Sequence, residues 1–189
     1  VVSPGNPGIP GSVETAPDDA DLYVIGPEVP LVDGLADRLR AAGKRVFGPG
    51  ADGARLEGSK AWMKDLLVEA GVPSARHGTF TTEEPALAFL DRMVPPYVIK
   101  TDGLAAGKGV VVTESLTEAR NAVGDYLSGA AFGDAGRCLV IEEGLGGPEL
   151  SVFALCDGQR AVALAPARDY KRIGDGDTGP NTGGMGAVS

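Results

Sequence analysis

Residues 97–112 read YVIKTDGLAAGKGVVV, and they carry the strongest fold signal in the chain. The run Tyr97–Lys100 predicts a strand that ends in a lysine, and Val110–Val112 predicts a second strand. Between them lies a glycine-rich turn, Gly103–Gly109, with Lys108 inside it. Backbone N–H groups in such a turn can surround phosphate oxygens, while Lys100 and Lys108 supply positive charge. An ordinary hairpin with a solvated lysine at its tip explains the turn alone equally well.

This turn differs from two well-known phosphate-binding loops. A P-loop needs the pattern G-x-x-x-x-G-K-[ST], but Asp102 holds the first glycine position and Gly109 follows the lysine. A dinucleotide-binding fingerprint needs a helix directly after the glycines, whereas Val110–Val112 is a strand-like run. A phosphate site at this turn would therefore belong to another class.

A second stretch, VIEEGLGGPE at residues 140–149, leads an apolar strand into two carboxylates, a glycine-rich hinge and a third carboxylate. A purine needs an acceptor for its exocyclic amine and a backbone N–H for a ring nitrogen, which Glu142 and Leu145 could provide. Glu149 could accept hydrogen bonds from ribose hydroxyls. Taken alone, the stretch fits a solvated acidic strand end better than a nucleotide site.

The first third of the chain alternates strand and helix signals. Asp21–Ile25 and Arg45–Phe47 are short strand-like runs, each closed by a Gly-Pro pair. Between them, apolar residues recur at helical spacing from Leu31 to Ala42, and Gly43 follows as a helix C-cap. Strand, helix and strand at this spacing predict a βαβ unit with a parallel sheet. We place a soft domain boundary near Glu57.

After this boundary the patterns predict an α+β mixture. Helices are expected to begin at three hydroxyl residues, the last two with a capping-box glutamate three positions later: Ser59, Thr81 with Glu84, and Ser115 with Glu118. In the first of these helices Trp62 is expected in the core and Lys64 on the solvated side. Strands are expected at Cys138–Glu142, Leu150–Cys156 and Arg160–Leu164, the last two joined by the hairpin signal Asp157-Gly158. His77 is interpreted as structural or surface-exposed.

Composition restricts the possible functions. The chain has 17 Lys and Arg against 26 Asp and Glu, a net charge of −9, which argues against nucleic acid as its main partner. No apolar run approaches the roughly 20 residues of a membrane span. Cys138 and Cys156 lie in strand-like segments and are expected to be buried free thiols in a reducing compartment. We therefore expect a cytoplasmic protein, and the absence of an initial Met suggests a piece of a longer one.

A third stretch, DYKRIGDGDTGPNTGGMG at residues 169–186, narrows the interpretation. It is a poor calcium loop, because Gly179 stands at the ligand position expected after Asp175 and Asp177. Solvated loop positions are the better interpretation of these two aspartates. Together with PGNPG at 4–8, GPE at 26–28, LEGSK at 56–60, DGLAAGKG at 102–109 and FGDAG at 132–136, this stretch closely resembles the phosphoribosylamine–glycine ligases, or glycinamide ribonucleotide synthetases, of the ATP-grasp superfamily.

The resemblance implies an α/β and α+β chain in two parts. Residues 1–57 would form part of a Rossmann-like N-terminal βα domain. Residues 58–189 would form the first part of an ATP-grasp domain, with the small nucleotide-clamping lobe at about 97–148. The rest of the family's enzyme, with an extreme N-terminal strand and a C-terminal half, would lie outside this chain.

The activity that the resemblance implies is ATP-dependent ligation of glycine to 5-phosphoribosylamine in purine biosynthesis. The products are glycinamide ribonucleotide, ADP and phosphate, formed through a glycyl phosphate, and the 189 residues alone are expected to be inactive. The alternatives are another ATP-grasp carboxylate–amine ligase and a non-catalytic nucleotide-binding fragment.

The same resemblance implies two sets of site residues and no assigned catalytic residue. ATP would be held by Lys60, Lys100, Lys108, Glu142, Glu143, Leu145 and Glu149. The other substrates, or the ATP phosphates, would be held by Glu28, Lys171, Arg172, Asn181, Thr182, Gly183, Gly184 and Met185. A divalent metal, Mg²⁺ or Mn²⁺, is expected with ligands outside this chain, and the partners are small molecules.

Overall fold

The computed structural model describes residues 8–13, 17–103, 109–129, 136–176 and 178–189. These residues fall into two compact units, Val1–Gly144 and Leu145–Ser189. The first unit contains β1 (Tyr23–Val24), α1 (Glu28–Val32), α2 (Leu35–Ala41), β2 (Val46–Phe47), α3 (Ala51–Gly58), α4 (Lys60–Glu69), β3 (His77–Phe80), α5 (Glu83–Leu90), β4 (Tyr97–Thr101), β5 (Val110–Thr113), α6 (Leu116–Leu127) and β6 (Leu139–Glu143). The second contains β7 (Ala154–Cys156), β8 (Ala161–Ala163), β9 (Arg168–Gly174) and β10 (Thr178–Val188).

The N-terminal part confirms the predicted parallel pairing. Strand β1 pairs with β2 in parallel, and Leu31, Ala36 and Ala54 form a small core between the helices. The single helix predicted over 31–42 is wrong, because Gly34 adopts a left-handed conformation (φ 76°) and separates α1 from α2. Helix α3 carries few apolar residues and was not predicted.

A four-stranded antiparallel sheet in the order β3-β6-β4-β5 forms the centre of the first unit. Helices α5 and α6 pack on one face of this sheet, where they bury the main core. Alternate residues of β4 and β6 contribute to that core: Tyr97, Ile99, Leu139 and Ile141. Because successive strand residues point to opposite faces, the residues between them belong to the other face.

Two of the three predicted helix caps are present. The Ser59 side chain accepts a hydrogen bond from the Trp62 N–H, and the Ser115 side chain accepts one from the Glu118 N–H. The reciprocal bond of the capping box predicted at Ser115 is not formed, because the Ser115 N–H donates to Thr113 Oγ1 and Glu118 accepts from the Thr113 hydroxyl. The capping box predicted at Thr81 is wrong, because α5 begins two residues later and its N-cap, Thr82, makes no side-chain cap bond. Trp62 is also not a core residue: it is half-buried, with the Arg55 guanidinium 4.6 Å from its ring centre.

The second unit contains two hairpins. The predicted Asp157-Gly158 hairpin joins β7 and β8, and Asp157 Oδ1 accepts hydrogen bonds from the N–H groups of Gln159 and Arg160. These bonds lower the pKa of the Asp157 carboxyl. Both strands are shorter than predicted. The glycine-rich stretch after Gly174, which carried no strand signal, forms β10 and pairs antiparallel with β9 through two register shifts.

Both cysteines are free, as predicted, but their predicted burial is only partly right. Cys138 is partly buried just before β6, whereas Cys156 is exposed on β7. No helix in the described part of the chain is long and apolar enough to cross a membrane.

Replacing Gly144 by alanine is expected to destabilise the first unit. A Cβ there would lie 2.3 Å from Pro96 Cγ and 2.9 Å from the Pro96 carbonyl oxygen, which already accepts the Gly144 N–H. Such overpacking costs about 1–3 kcal/mol. Gly146→Ala is the matched control, because nothing lies within 4 Å of its added Cβ. Urea unfolding should show a lower midpoint for Gly144→Ala alone; equal midpoints would contradict the packing at Pro96.

Iodoacetamide should alkylate Cys156 faster than Cys138. Burial, followed by the charge of Asp102, raises the pKa of the Cys138 thiol, so less reactive thiolate is present at pH 8. Cys156 is exposed. Peptide mass spectrometry of a time course with native protein measures both rates. Equal rates would show that Cys138 is more accessible than its partial burial indicates.

Candidate functional site

Two of the predicted nucleotide-binding residues meet on the sheet face away from α5 and α6. In the register of β4 and β6, Lys100 lies opposite Val140 and Val98 lies opposite Glu142. Lys100 and Glu142 are therefore diagonal neighbours on one face. The Lys100 Nζ lies 3.1 Å from Glu142 Oε1.

Helix α4 adds a third charged residue to this pair. Lys64 Nζ lies 3.1 Å from Glu142 Oε2 and donates a 2.6 Å hydrogen bond to Ser74 Oγ. The prediction that Lys64 is solvated is wrong: it is 5 % exposed, and so is Glu142. A lone lysine in an amphipathic helix is expected to face solvent, and the helix sequence does not show that Glu142, distant in the chain, pairs with it. Lys64, Glu142 and Lys100 are called the Lys–Glu–Lys cluster below.

The three members of the cluster differ in their access to solvent. The side chains of Lys64 and Glu142 are 6 % and 7 % exposed, whereas that of Lys100 is 28 % exposed. A buried charge is tolerated when it is paired, and removing one partner of such a pair is strongly destabilising. Lys64 and Glu142 therefore form the buried part of the cluster, and Lys100 forms its open end.

One oxygen of Glu142 keeps unused capacity to accept a hydrogen bond. Oε1 is within ion-pair distance of Lys100, yet it is buried and has no partner with hydrogen-bond geometry in the described structure. The short distance shows electrostatic attraction, while the poor angle leaves the lone pairs open. An unsatisfied buried acceptor is costly. A donor that reached this atom, such as an exocyclic amine, would satisfy it.

The N-terminus of α4 is fastened to the end of β4. Asp102 accepts a 2.7 Å hydrogen bond from the Ala61 N–H and bonds from the Ser59 hydroxyl at 3.1 and 3.2 Å. A carboxylate at this position is favourable because the helix N-terminus carries partial positive charge. The Lys60 Nζ donates to the Gly103 carbonyl at 3.2 Å. Lys60, which is predicted to bind ATP, therefore lies where the glycine-rich turn begins.

Glu143 has a different environment from its neighbour Glu142. Its carboxylate accepts a 2.8 Å hydrogen bond from the Arg76 N–H, and its own N–H donates to the Arg76 carbonyl. The side chain thus holds the segment that precedes β3. His77 is half-buried, with Nδ1 3.2 Å from the Ala75 carbonyl, which agrees with a structural role.

In the second unit, the β9–β10 hairpin gathers several of the predicted substrate residues. Lys171 Nζ lies 3.0 Å from Glu149 Oε1 and 3.6 Å from Asp169 Oδ2. The hydrogen bond to Glu149 is the largest cause of a raised pKa of the Lys171 ammonium. The Thr182 hydroxyl donates to the Lys171 carbonyl, and Arg172 lies opposite Asn181 in the register.

The other predicted site residues are more dispersed. Leu145, Gly183, Gly184 and Met185 are exposed in the second unit. Glu28 is exposed at the start of α1, in the first unit, and lines a cleft with Leu31, Ala54 and Glu57. Lys108, the central part of the glycine-rich turn, Asp177, the Asn181 side chain and most of the motifs at 4–8 and 132–136 lie outside the described residues.

Two protein-family models match adjacent parts of the chain and together cover all of it. The model described as phosphoribosylglycinamide synthetase, N domain, matches residues 1–57, and the ATP-grasp (A) domain model of the same family matches residues 58–189. The chain belongs to the phosphoribosylglycinamide synthetase family. This confirms the resemblance seen in the sequence and the predicted fold class, a βα domain followed by part of an ATP-grasp domain.

Curated relatives agree with the family assignment. The chain is 52% identical over all 189 residues to the phosphoribosylamine–glycine ligase of Escherichia coli K12, and it covers 44% of that protein. It is 56% identical over 168 residues to the Xanthomonas axonopodis enzyme of the same name, covering 39% of it. The chain thus spans less than half the length of these members of the synthetase family.

Solved structures also match. A phosphoribosylamine–glycine ligase from Thermotoga maritima aligns with 92% of this chain and 42% of its own, at 38% identity and a TM-score of 0.74. A biotin carboxylase from Campylobacter jejuni aligns with 82% of this chain and 36% of its own, at 19% identity and a TM-score of 0.67. The second match shows a shared fold alone.

Sequence reasoning missed Lys64 and Asp102 as members of the site. A signal for Lys64 was available, because it lies four residues after Lys60 and therefore on the same helix face. No comparable signal exists for Asp102, whose contacts with Ser59 and Ala61 span more than 40 positions. Among the described residues, no group of three or more His, Cys, Asp or Glu could hold a metal ion.

Asp102→Ala is expected to loosen the start of α4. The change removes the acceptor for the Ala61 N–H and for the Ser59 hydroxyl, and loss of such a cap costs about 1 kcal/mol. Hydrogen exchange at Ala61 should accelerate and the free energy of unfolding should fall by roughly this amount. Asp65→Ala, on the exposed side of the same helix, is the control. Unchanged exchange at Ala61 in Asp102→Ala would contradict the capping role.

Proposed function

We propose that the full-length protein ligates glycine to 5-phosphoribosylamine at the expense of ATP. The observation that supports this most strongly is 52% identity over all 189 residues to a relative named phosphoribosylamine–glycine ligase. The proposal also covers the domain division after residue 57, which is supported by the point where the two family-model matches meet. A cytoplasmic location remains a prediction.

We further propose that ATP is held by Lys60, Lys100, Lys108, Glu142, Glu143, Leu145 and Glu149. Three observations support the first-unit part of this set. Lys100 lies next to the last residue of its strand and is partly exposed, Glu142 Oε1 has free acceptor capacity, and Lys60 lies beside the start of the glycine-rich turn. These groups fit a phosphate, a base amine and a second phosphate, respectively.

The reaction has two bond-forming steps. A glycine carboxylate oxygen attacks the γ-phosphorus of ATP, and the bond to the ADP oxygen breaks. The amine nitrogen of phosphoribosylamine then attacks the acyl carbon; the C–O bond to phosphate breaks, phosphate leaves with the electron pair, and the nitrogen loses a proton. Fixed cations stabilise charge that develops on the transferring phosphoryl group, and we propose Lys100 as one of them.

We propose that the second substrate set lies at Glu28, Lys171, Arg172, Asn181, Thr182, Gly183, Gly184 and Met185. The Lys171–Glu149 ion pair and the Thr182 bond to the Lys171 carbonyl support a preformed hairpin around part of this set. A divalent metal is expected of an ATP-grasp ligase. We propose, as the family resemblance implies, that its ligands lie outside these 189 residues.

Lys100→Met in the full-length protein should lower kcat/KM for ATP by about 100-fold or more. Removing one preorganised donor from a site of charge development typically costs about 2.7–4 kcal/mol. Lys64→Met cannot serve as the control, because Lys64 belongs to the same cluster. Lys44→Met is the suitable one: Lys44 lies in the N-terminal part of the chain and contacts the Asp18 carbonyl.

The measurement is steady-state kinetics of glycine-dependent ADP release for both variants, with melting temperatures recorded without ligand. A folded Lys100→Met protein with near-parental kcat/KM would reject Lys100 as an ATP ligand and restore the solvated-hairpin interpretation. A parental protein that binds ATP without glycine-dependent turnover would favour a non-catalytic nucleotide-binding protein. Turnover with another carboxylate in place of glycine would favour another ATP-grasp ligase.

A further inference from the structure

We infer that Lys64 is a positioning residue of the nucleotide site: it neutralises Glu142 and so leaves the charge of Lys100 available to a phosphate. The inference rests on the proposed ATP site. It concerns a residue whose ammonium is already engaged by two other side chains of the chain. Its ammonium is committed to Glu142 Oε2 at 3.1 Å and to Ser74 Oγ at 2.6 Å, and the side chain is only 6 % exposed.

The charge balance of the cluster is the first step of the argument. Two lysines and one glutamate give 2 − 1 = +1 formal charge on the three side chains. Each lysine takes a separate oxygen of Glu142. If Lys64 were neutral, the remaining pair would sum to zero, and Glu142 would offset Lys100. Lys64 therefore determines whether the cluster presents a net positive charge.

The geometry gives the second step. The Lys64 end of the cluster is buried between α4 and the sheet, whereas the Lys100 end is 28 % exposed. An anion can approach only the exposed end. Coulomb attraction inside a protein is weakly screened, so a buried countercharge on Glu142 affects a phosphate beside Lys100.

The size of the effect can be bounded from distance. Two ion-pair lengths and one carboxylate separate the two ammonium groups, so a phosphate beside Lys100 would lie within roughly 10 Å of Lys64. At an effective dielectric constant of about 20, a unit charge at that range changes an affinity by roughly tenfold. An uncharged nucleoside would not experience this attraction.

The experiment compares ATP with adenosine as probes of the full-length protein. Lys64→Gln removes the charge but retains an amide that can still donate to Glu142. Lys64→Gln with Glu142→Gln removes both charges of the buried pair and leaves Lys100 with +1. Lys44→Gln is the matched control for the loss of a lysine far from the cluster in sequence. Calorimetry gives both dissociation constants, and melting without ligand reports folding.

We expect Lys64→Gln to weaken ATP binding by about tenfold and adenosine binding by less than about threefold. The double variant should bring the ratio of ATP affinity to adenosine affinity back to within about threefold of the parental ratio, because loss of a base contact at Glu142 weakens both probes alike; Lys44→Gln should match the parental protein. A purely structural role predicts a different result. Lys64→Gln would then weaken the binding of ATP and of adenosine by the same factor, and adding Glu142→Gln would not change the ratio of the two affinities.

Several outcomes would overturn the inference. One is a folded Lys64→Gln protein with parental ATP affinity, and another is an equal loss for ATP and adenosine. If the single variant does not fold, the double variant decides, because it leaves no unpaired buried charge; a folded double variant whose ratio of ATP to adenosine affinity lies about tenfold below the parental ratio would reject the charge argument. If the parental protein does not bind ATP, the proposed function is rejected as well. If the parental protein binds ATP and Lys64→Gln leaves that affinity unchanged, the inference alone is rejected.

Discussion

The buried carboxylate of Glu142 is the constraint on which this part of the molecule depends. It lies on the interior strand β6, 5 % exposed, where an unpaired charge would be strongly unfavourable. The sheet register supplies Lys100 from the adjacent strand, and α4 supplies Lys64 from the other side. Pairing with Lys64 links α4 to the sheet face that α5 and α6 leave uncovered. The Lys–Glu–Lys cluster therefore serves both the packing of α4 on the sheet and the proposed binding of ATP.

The ends of the same strands carry the rest of the proposed site. Asp102 follows β4 and caps α4, so the start of the glycine-rich turn and the Lys60 side chain are held together. At the end of β6, Gly144 passes so close to Pro96 that a side chain would collide with it. The ends of β4 and β6 are thus held by close contacts, at Asp102 and at Gly144, and each contact lies beside a glycine-rich stretch of sequence. Binding residues are often carried on loops that a rigid scaffold positions.

Local patterns predicted well where one element determines its own structure. The Ser59 and Ser115 caps, the parallel β1–β2 pair and the Asp157-Gly158 hairpin follow from short-range signals. The failures have tertiary causes. Lys64 is buried because a carboxylate distant in sequence faces it, and β10 forms from glycine-rich sequence because β9 provides its hydrogen bonds. Of the site, Lys60, Lys100 and Glu142 were predicted from their motifs and Lys64 could have been added from its spacing to Lys60, whereas the contacts of Asp102 had no local signal.

A crystal structure of the full-length protein with a non-hydrolysable ATP analogue tests the central claim most directly. The account predicts that Lys64 remains paired with Glu142, that a phosphate oxygen lies within about 4 Å of Lys100 Nζ, and that the base amine approaches Glu142 Oε1. A nucleotide bound away from the ends of β4 and β6, or a Lys100 that contacts Glu142 but no phosphate, would contradict it.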